Sequence, residues 1–302
     1  MSNHHPRVDV DRWIEQFPLA ADVERALSSA YVTGPEAVAI IEQARSRSGG
    51  AAGMGGPCAT DVMVWALGEP TDPAATKIGG VPHRPAGVPW PVGRDGQPST
   101  FVAQVCFADS RDVLVASDGS PLTLPGDVLV LFSPNPGGLW DDNDEDPTSL
   151  QYEWWPLDLE RVMAREDLPE QTWTATAGGT IAPCHAHLHR SADFPAAPDD
   201  HPLRQIYDAD RLFVHEGGKI GGVPFYTRAE SPRPGVFLAA IGSINPAGTV
   251  WPFVNVERPP TPAPIWDGDF LTLGDLGSLY LYWEPSRRSR SEGSLHWTVR
   301  GS

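Results

Sequence analysis

Apolar positions in residues 1–48 recur at three- and four-residue spacing: Trp13, Ile14, Phe17, Leu19 and Ala20, then Val23, Ala26 and Leu27, with Pro18 interrupting the run. That period marks one face of an α-helix, so two short amphipathic helices are predicted with the proline between them. From Pro35, the positions Ala37, Val38, Ile40, Ile41 and Ala44 repeat the pattern and predict a third helix, which the glycine-rich stretch from Ser46 to Gly56 ends. Stripes of this ordinary kind are expected to pad an edge of the domain that follows, with a separate docking arm as the alternative. From Asp61 the texture changes to strand and turn. Val62, Val64 and Ala66 alternate with Met63, Trp65 and Leu67 in a run apolar on both faces, and residues 100–107, 127–132, 235–241 and 278–283 are similar. Such runs predict strands covered on both sides. Only Leu157 to Arg165 and Ala209 to Val214 read as helical in this region.

Lys77-Ile78-Gly79-Gly80-Val81-Pro82 recurs without change as Lys219-Ile220-Gly221-Gly222-Val223-Pro224. Order is kept downstream: Phe101 to Val105 corresponds to Phe237 to Ile241, and Gly126 to Phe132 corresponds to Gly277 to Trp283. The offset from Lys77 to Lys219 is 142 residues, far beyond the roughly 20 to 50 of solenoids and propellers, so duplication within one domain is predicted. The expected class is α+β: a duplicated β-rich unit forming one mainly antiparallel sheet with pseudo-twofold symmetry, and a helical N-terminal segment. The expected organisation is a helical segment and linker over 1–56, then a domain over 57–302 with repeats at about 61–170 and 205–300.

Charge narrows the partners. Lys and Arg number 22 against 39 Asp and Glu, a net charge of -17. Such a field repels polyanions, which excludes nucleic acid as the expected partner, and it attracts basic proteins. Thirty glycines and 32 prolines fit short strands joined by turns. No run approaches the roughly 18 apolar residues that span a bilayer, and Met1 to Asp11 is polar, so a cytoplasmic protein without membrane contact is expected. Cys58, Cys106 and Cys184 lie far apart, in neither a disulfide framework nor a zinc spacing.

The order KIGG-x-P, a loop bearing Pro89-Trp90-Pro91, Phe101-Val102-Ala103-Gln104-Val105, a Gly-led apolar strand and a second KIGG-x-P resembles the YwqG-like family, a bacterial domain family of unknown function, over about residues 61–300. The resemblance implies an α+β domain built from a duplicated β-rich unit. It carries over no catalytic residue, and it implies kinship with members that accompany polymorphic toxins as immunity proteins. Family members commonly continue the second-copy strand with Gln and then Asp, where this chain has Ala240 and Gly242; Gln104 remains in the first copy.

Four features bear on chemistry. In the hexapeptides, lysine precedes the glycines and proline follows, which is the wrong order for a phosphate loop. Tight glycine turns, with Ile78 and Ile220 in the core and Lys77 and Lys219 pairing with carboxylates or marking a cleft, are expected instead. Cys184-His185-Ala186-His187-Leu188-His189 puts three imidazoles at alternate positions, on one side of a strand. His185, His187 and His189 are thus the metal candidates, with His215 a more remote one, although no second ligand motif accompanies them. Surface histidines and no cofactor are the simpler expectation. Asp141-Asp142-Asn143-Asp144-Glu145-Asp146 approximates a calcium loop ending at Glu153, but Pro147 stands where a glycine is required, so a solvated acidic loop is expected. Finally, Trp90, Trp251 and Trp266 sit in Pro-rich loops, as core closures or groove walls.

The function expected from these features is a non-enzymatic protein-binding module of immunity type. It would hold a basic toxin domain through Trp140, Asp141, Asp142, Asp144, Asp146 and Trp154, with Lys77 and Lys219 as further binding residues. The alternatives are a metal-dependent or small-ligand enzyme using the cleft between the two hexapeptides, and a peptide-binding scaffold or chaperone-like protein. No oligomeric state follows from the sequence.

Overall fold

A computed structural model of the chain describes residues 4–5, 58–116, 118–134, 150–169, 183–193, 217–225, 234–244, 271, 273, 277–286 and 292–300. The run that is apolar at successive positions lies at the centre of the sheet. It forms β1 (Cys58–Leu67), in which Val62, Met63, Val64 and Trp65 are all buried. The strands that follow are β2 (Lys77–Ile78), β3 (Thr100–Cys106), β4 (Val128–Ser133), β5 (Gln151–Trp155), β6 (Cys184–Asp193), β7 (Lys219–Gly221), β8 (Val236–Gly242), β9 (Ser278–Pro285) and β10 (Gly293–Arg300). They make one ten-stranded sheet in the order β10-β9-β8-β7-β1-β6-β2-β3-β4-β5, with every pairing antiparallel.

The sheet curls into a half-barrel. Its inner face carries Met63 and Trp65 from β1, Ala186 and Leu188 from β6, Ile78, Ile220 and the alternating apolar positions of β3, β4, β8 and β9. In β3 the pairing shifts between Phe101 and Ala103, and in β8 between Phe237 and Ala239. At each bulge two successive residues, Val102-Ala103 and Leu238-Ala239, enter the inner core, which bends the strand and raises its twist. The outer face is covered in patches. One joins Ala74, Phe101, Cys106, Val128, Val130 and Phe132, and another joins Phe237, Ala240, Tyr280 and Tyr282. A 3-10 turn, Ala108–Val113, is held to the sheet through Asp61 of β1, which accepts from the Ser110 hydroxyl at 2.6 Å and from Arg190 of β6 at 2.8 and 3.0 Å.

The expected α+β class is corrected: the fold is mostly antiparallel β. The helices expected within residues 1–56 lie, apart from His4 and His5, outside the described residues, and no helical layer packs on the sheet among the described residues. Two pseudo-symmetric repeats packed on each other are also overturned. The chain forms one continuous sheet in which β1 pairs with β6 along ten positions, from Cys58 opposite Asp193 to Leu67 opposite Cys184, and its other edge binds β7. No clear duplication is present. The helix expected at Leu157 to Arg165 is absent. Its backbone groups bond sideways, Met163 N–H to the Arg84 carbonyl at 2.7 Å and Ala86 N–H to the Arg161 carbonyl at 2.9 Å, which leaves only a short 3-10 turn at Arg165–Asp167. The stretch 209–214 is outside the described residues. No helix among the described residues is long and apolar enough to cross a membrane.

Candidate functional site

Each hexapeptide builds a buried ammonium site on the outer face. Lys219 stands on β7 opposite Ala240 and Val62; its Nζ donates to Asp193 Oδ2 at 2.6 Å and to the Val223 carbonyl at 2.5 Å. The same Asp193 oxygen accepts the Val223 N–H at 3.0 Å. Lys77 stands on β2 opposite Gln104 and His185; its Nζ donates to Glu69 Oε2 at 3.3 Å, while Glu69 Oε1 accepts the Val81 N–H at 2.8 Å. In both places one carboxylate bridges the lysine to the amide that follows the two glycines. The second glycine of each pair explains the motif. Gly80 and Gly222 both have φ +74, and a Cβ there would lie 2.0 Å from Glu69 Oε1 or 2.2 Å from Asp193 Oδ2, so any side chain would expel the carboxylate.

The two sites differ in access. Asp193 and Lys219 have fully buried side chains (0%), whereas Glu69 is 34% exposed beside a Lys77 side chain that is 2% exposed. Burial lowers both ammonium pKa values against the opposing pull of their carboxylates. The two lysines do not converge. With β1 and β6 between β7 and β2, three strand spacings separate them, about 14 Å.

The histidines of β6 do share a face, opposite Val62, Val64 and Ala66, while Cys184, Ala186 and Leu188 fill the inner core between them. His185 donates from Nδ1 to the Gly68 carbonyl at 2.9 Å, and its ring lies 5.4 Å from that of His187. Burial first, then the neighbouring His185 ring, pushes the His187 pKa down to about 4, so this imidazole is neutral at physiological pH. Among the described residues no group of three or more His, Cys, Asp or Glu side chains is placed to hold a metal ion. Cys106 and Cys184 are buried free thiols whose pKa burial pushes up to about 12, which keeps them protonated and unreactive.

Trp140, Asp141, Asp142, Asp144 and Asp146 lie outside the described residues, as do His215, Trp251 and Trp266. Trp154 is half-buried on β5, its ring 5.7 Å from Phe107 and 5.6 Å from Trp283. Glu153, one residue before it, receives Arg84 through two bonds, Nε at 2.6 Å and Nη2 at 3.0 Å, and so closes the outer patch beneath Trp90. Gln104 is wholly occupied by backbone: its Nε2 donates to the Pro73 and Ala75 carbonyls, and its Oε1 accepts the His83 N–H at 2.7 Å. His83 donates from Nε2 to the Pro156 carbonyl at 2.9 Å, and its buried Nδ1 has no partner among the described residues.

Sequence reasoning missed Glu69, Asp193, Asp72, Thr76, Asp109 and His5. The last four form a polar recess beside β2 in which the His5 ring bridges Asp109 and Thr76. The Asp193–Lys219 pair and the contacts of His5 join residues far apart in the chain, which no local pattern marks, whereas Glu69 lies only eight residues before Lys77.

A family model described as a domain of unknown function, DUF1963, matches residues 76–122. The match spans the first hexapeptide, β3 and the 3-10 turn that carries Asp109. No curated protein matches the chain.

Proposed function

We propose that this chain is a YwqG-like, non-enzymatic protein-binding module of the bacterial cytoplasm. On this reading it neutralises a basic partner, of toxin-domain type, through the acidic run 141–146 and Trp140 beside it. The observation that carries the reading is the net charge of -17. The buried pairs of Lys77, Arg84 and Lys219 are each matched by a carboxylate, so they leave that surplus undiminished at the surface. A second support comes from the chemistry-bearing groups themselves. Both hexapeptide lysines, Gln104 and two of the thiols are tied up inside the fold, which favours a scaffold over a catalyst.

The test begins with a partner captured on the immobilised chain at low ionic strength. Association kinetics are then measured for wild type and a D141N/D142N/D144N/D146N variant. A basic partner is expected, with an on-rate that falls steeply with salt and drops about tenfold in the variant. A neutral or acidic partner, or an on-rate indifferent to both salt and the four substitutions, would remove the reading.

A further inference from the structure

We propose that the recess formed by Asp72, Thr76 and Asp109 is a peptide-binding site, selective for two successive backbone N–H groups and a neutral imidazole, which the chain fills with its own His4 and His5. The inference stands apart from the acidic-loop reading and does not depend on it.

The recess is complementary to this dipeptide atom by atom. Asp109 Oδ2 accepts the His4 N–H at 2.8 Å, the His5 N–H at 2.8 Å and the His5 ring Nδ1–H at 3.0 Å. Three donors on one carboxylate oxygen amount to a small anion nest turned inside out, with the protein supplying the charge and the peptide the N–H groups. The His4 ring adds an Nδ1 contact to Asp72 Oδ2 at 2.8 Å. On the far side of the His5 ring, Nε2 accepts the Thr76 N–H at 2.9 Å and stands 2.9 Å from the Thr76 hydroxyl. That hydroxyl oxygen already accepts the Cys106 N–H at 3.0 Å, so its own proton turns to the imidazole. Nε2 is therefore an acceptor and Nδ1 carries the proton, which specifies the neutral ring in one tautomer.

Burial makes this a built site. The His5 side chain is 0% exposed and that of Asp109 10%. The bonds that hold His5 reach 71 and 104 residues along the chain. The hydrogen bonds from His4 and His5 also hold the Asp109 carboxyl below its ordinary pKa despite its burial. The recess is thus occupied in cis, and a peptide presenting the same groups in trans competes with the chain's own His4 and His5.

The test has three parts. In the full-length wild type, long-range 1H–15N correlation near neutral pH is expected to report His5 as the Nδ1–H tautomer; the Nε2–H tautomer, or averaging between the two, would overturn the assignment without any variant. Hydrogen exchange is then compared at the Thr76 amide in wild type, H5A and H5Q, with the Val64 and His187 amides of the central strand pair as the folding control. H5A is expected to speed Thr76 exchange at least tenfold while the control amides stay protected. H5Q, whose side-chain oxygen replaces the acceptor but not the donor, is expected to fall between. Unchanged Thr76 exchange in H5A would sink the proposal. Last, a fluorescent peptide of residues 2–8 is added to the full-length H4A/H5A chain. Saturable binding that is lost on adding Asp109→Asn, and at least tenfold weaker to wild type, is expected. Absence of binding to the emptied recess, or equal binding to wild type, would refute a selective site.

Discussion

Trp154 and Trp283 meet edge to face at 5.6 Å although their strands, β5 and β9, stand eight places apart in the sheet. Phe107 also packs against Trp154, with ring centroids at 5.7 Å. This contact draws the two ends of the sheet toward each other and turns a twisted ribbon into a half-barrel with an apolar interior.

Truncating either ring opens that closure. Trp283→Ala is expected to destabilise the fold by about 3–5 kcal/mol, because a fully buried indole leaves a cavity that the curled sheet closes only in part. Trp154→Ala, at a half-buried position, is expected to cost about half as much. Chemical denaturation of the two variants and the double variant checks this. Because the rings touch, the double variant is expected to lose less than the sum, and strict additivity would place the closure elsewhere.

The two hexapeptides permit a comparison inside one molecule. Lys219→Met strands a carboxylate with no exposure and is expected to cost about 3–5 kcal/mol, with a substantial part recovered by adding Asp193→Asn. Lys77→Met leaves Glu69 able to turn to water, and about 1–2 kcal/mol is expected. Gly222→Ala forces positive φ on a residue with a Cβ and crowds Asp193, so it is expected to resemble Lys219→Met. Denaturant midpoints for the four variants decide it; equal losses at Lys77 and Lys219 would mean that exposure of the carboxylate does not govern the cost.

How much of this was legible in the sequence varies with position in the sheet. β1, β3, β4, β8 and β9 announced themselves because strands buried on both faces read as continuous apolar runs. The strands β5 and β10 give a weaker signal, since Gln151, Glu153, Ser294 and His296 break the apolar pattern where, among the described residues, one side of the strand has no paired neighbour. In β6 the alternation of histidine with Cys184, Ala186 and Leu188 resembles a ligand pattern but fits surface histidines as well, and it is the strand's in-and-out period. The identical hexapeptides invited a two-unit fold. Identity there reflects one local need met twice, an ammonium, two glycines and a carboxylate, and the ten-residue pairing of β1 with β6 merges everything into one sheet. Asp193 has no local signature because it is 26 residues from Lys219, and only the register of β6 brings the two together.

His187 gives the fold a pH dependence whose sign can be worked out. Its pKa falls from 6.5 to about 4 because burial and the neighbouring His185 disfavour the charged ring. Between those values the unfolded chain binds a proton that the folded chain does not, so stability is expected to fall as pH drops from about 6.5 toward 4. The full shift would correspond to about 3 kcal/mol; the ring is partly open to solvent, and screening reduces the expected loss to about 1–2 kcal/mol. Asp109, held below its ordinary 3.8, acts in a separate and more acidic window, where protonating it removes a further contribution. Urea denaturation across this range is expected to show the slope in wild type and its loss in His187→Gln, which keeps a polar side chain but does not titrate. A slope that survives the substitution would assign the acid sensitivity to another group, and titration of the His187 ring by NMR near its ordinary value would remove the premise.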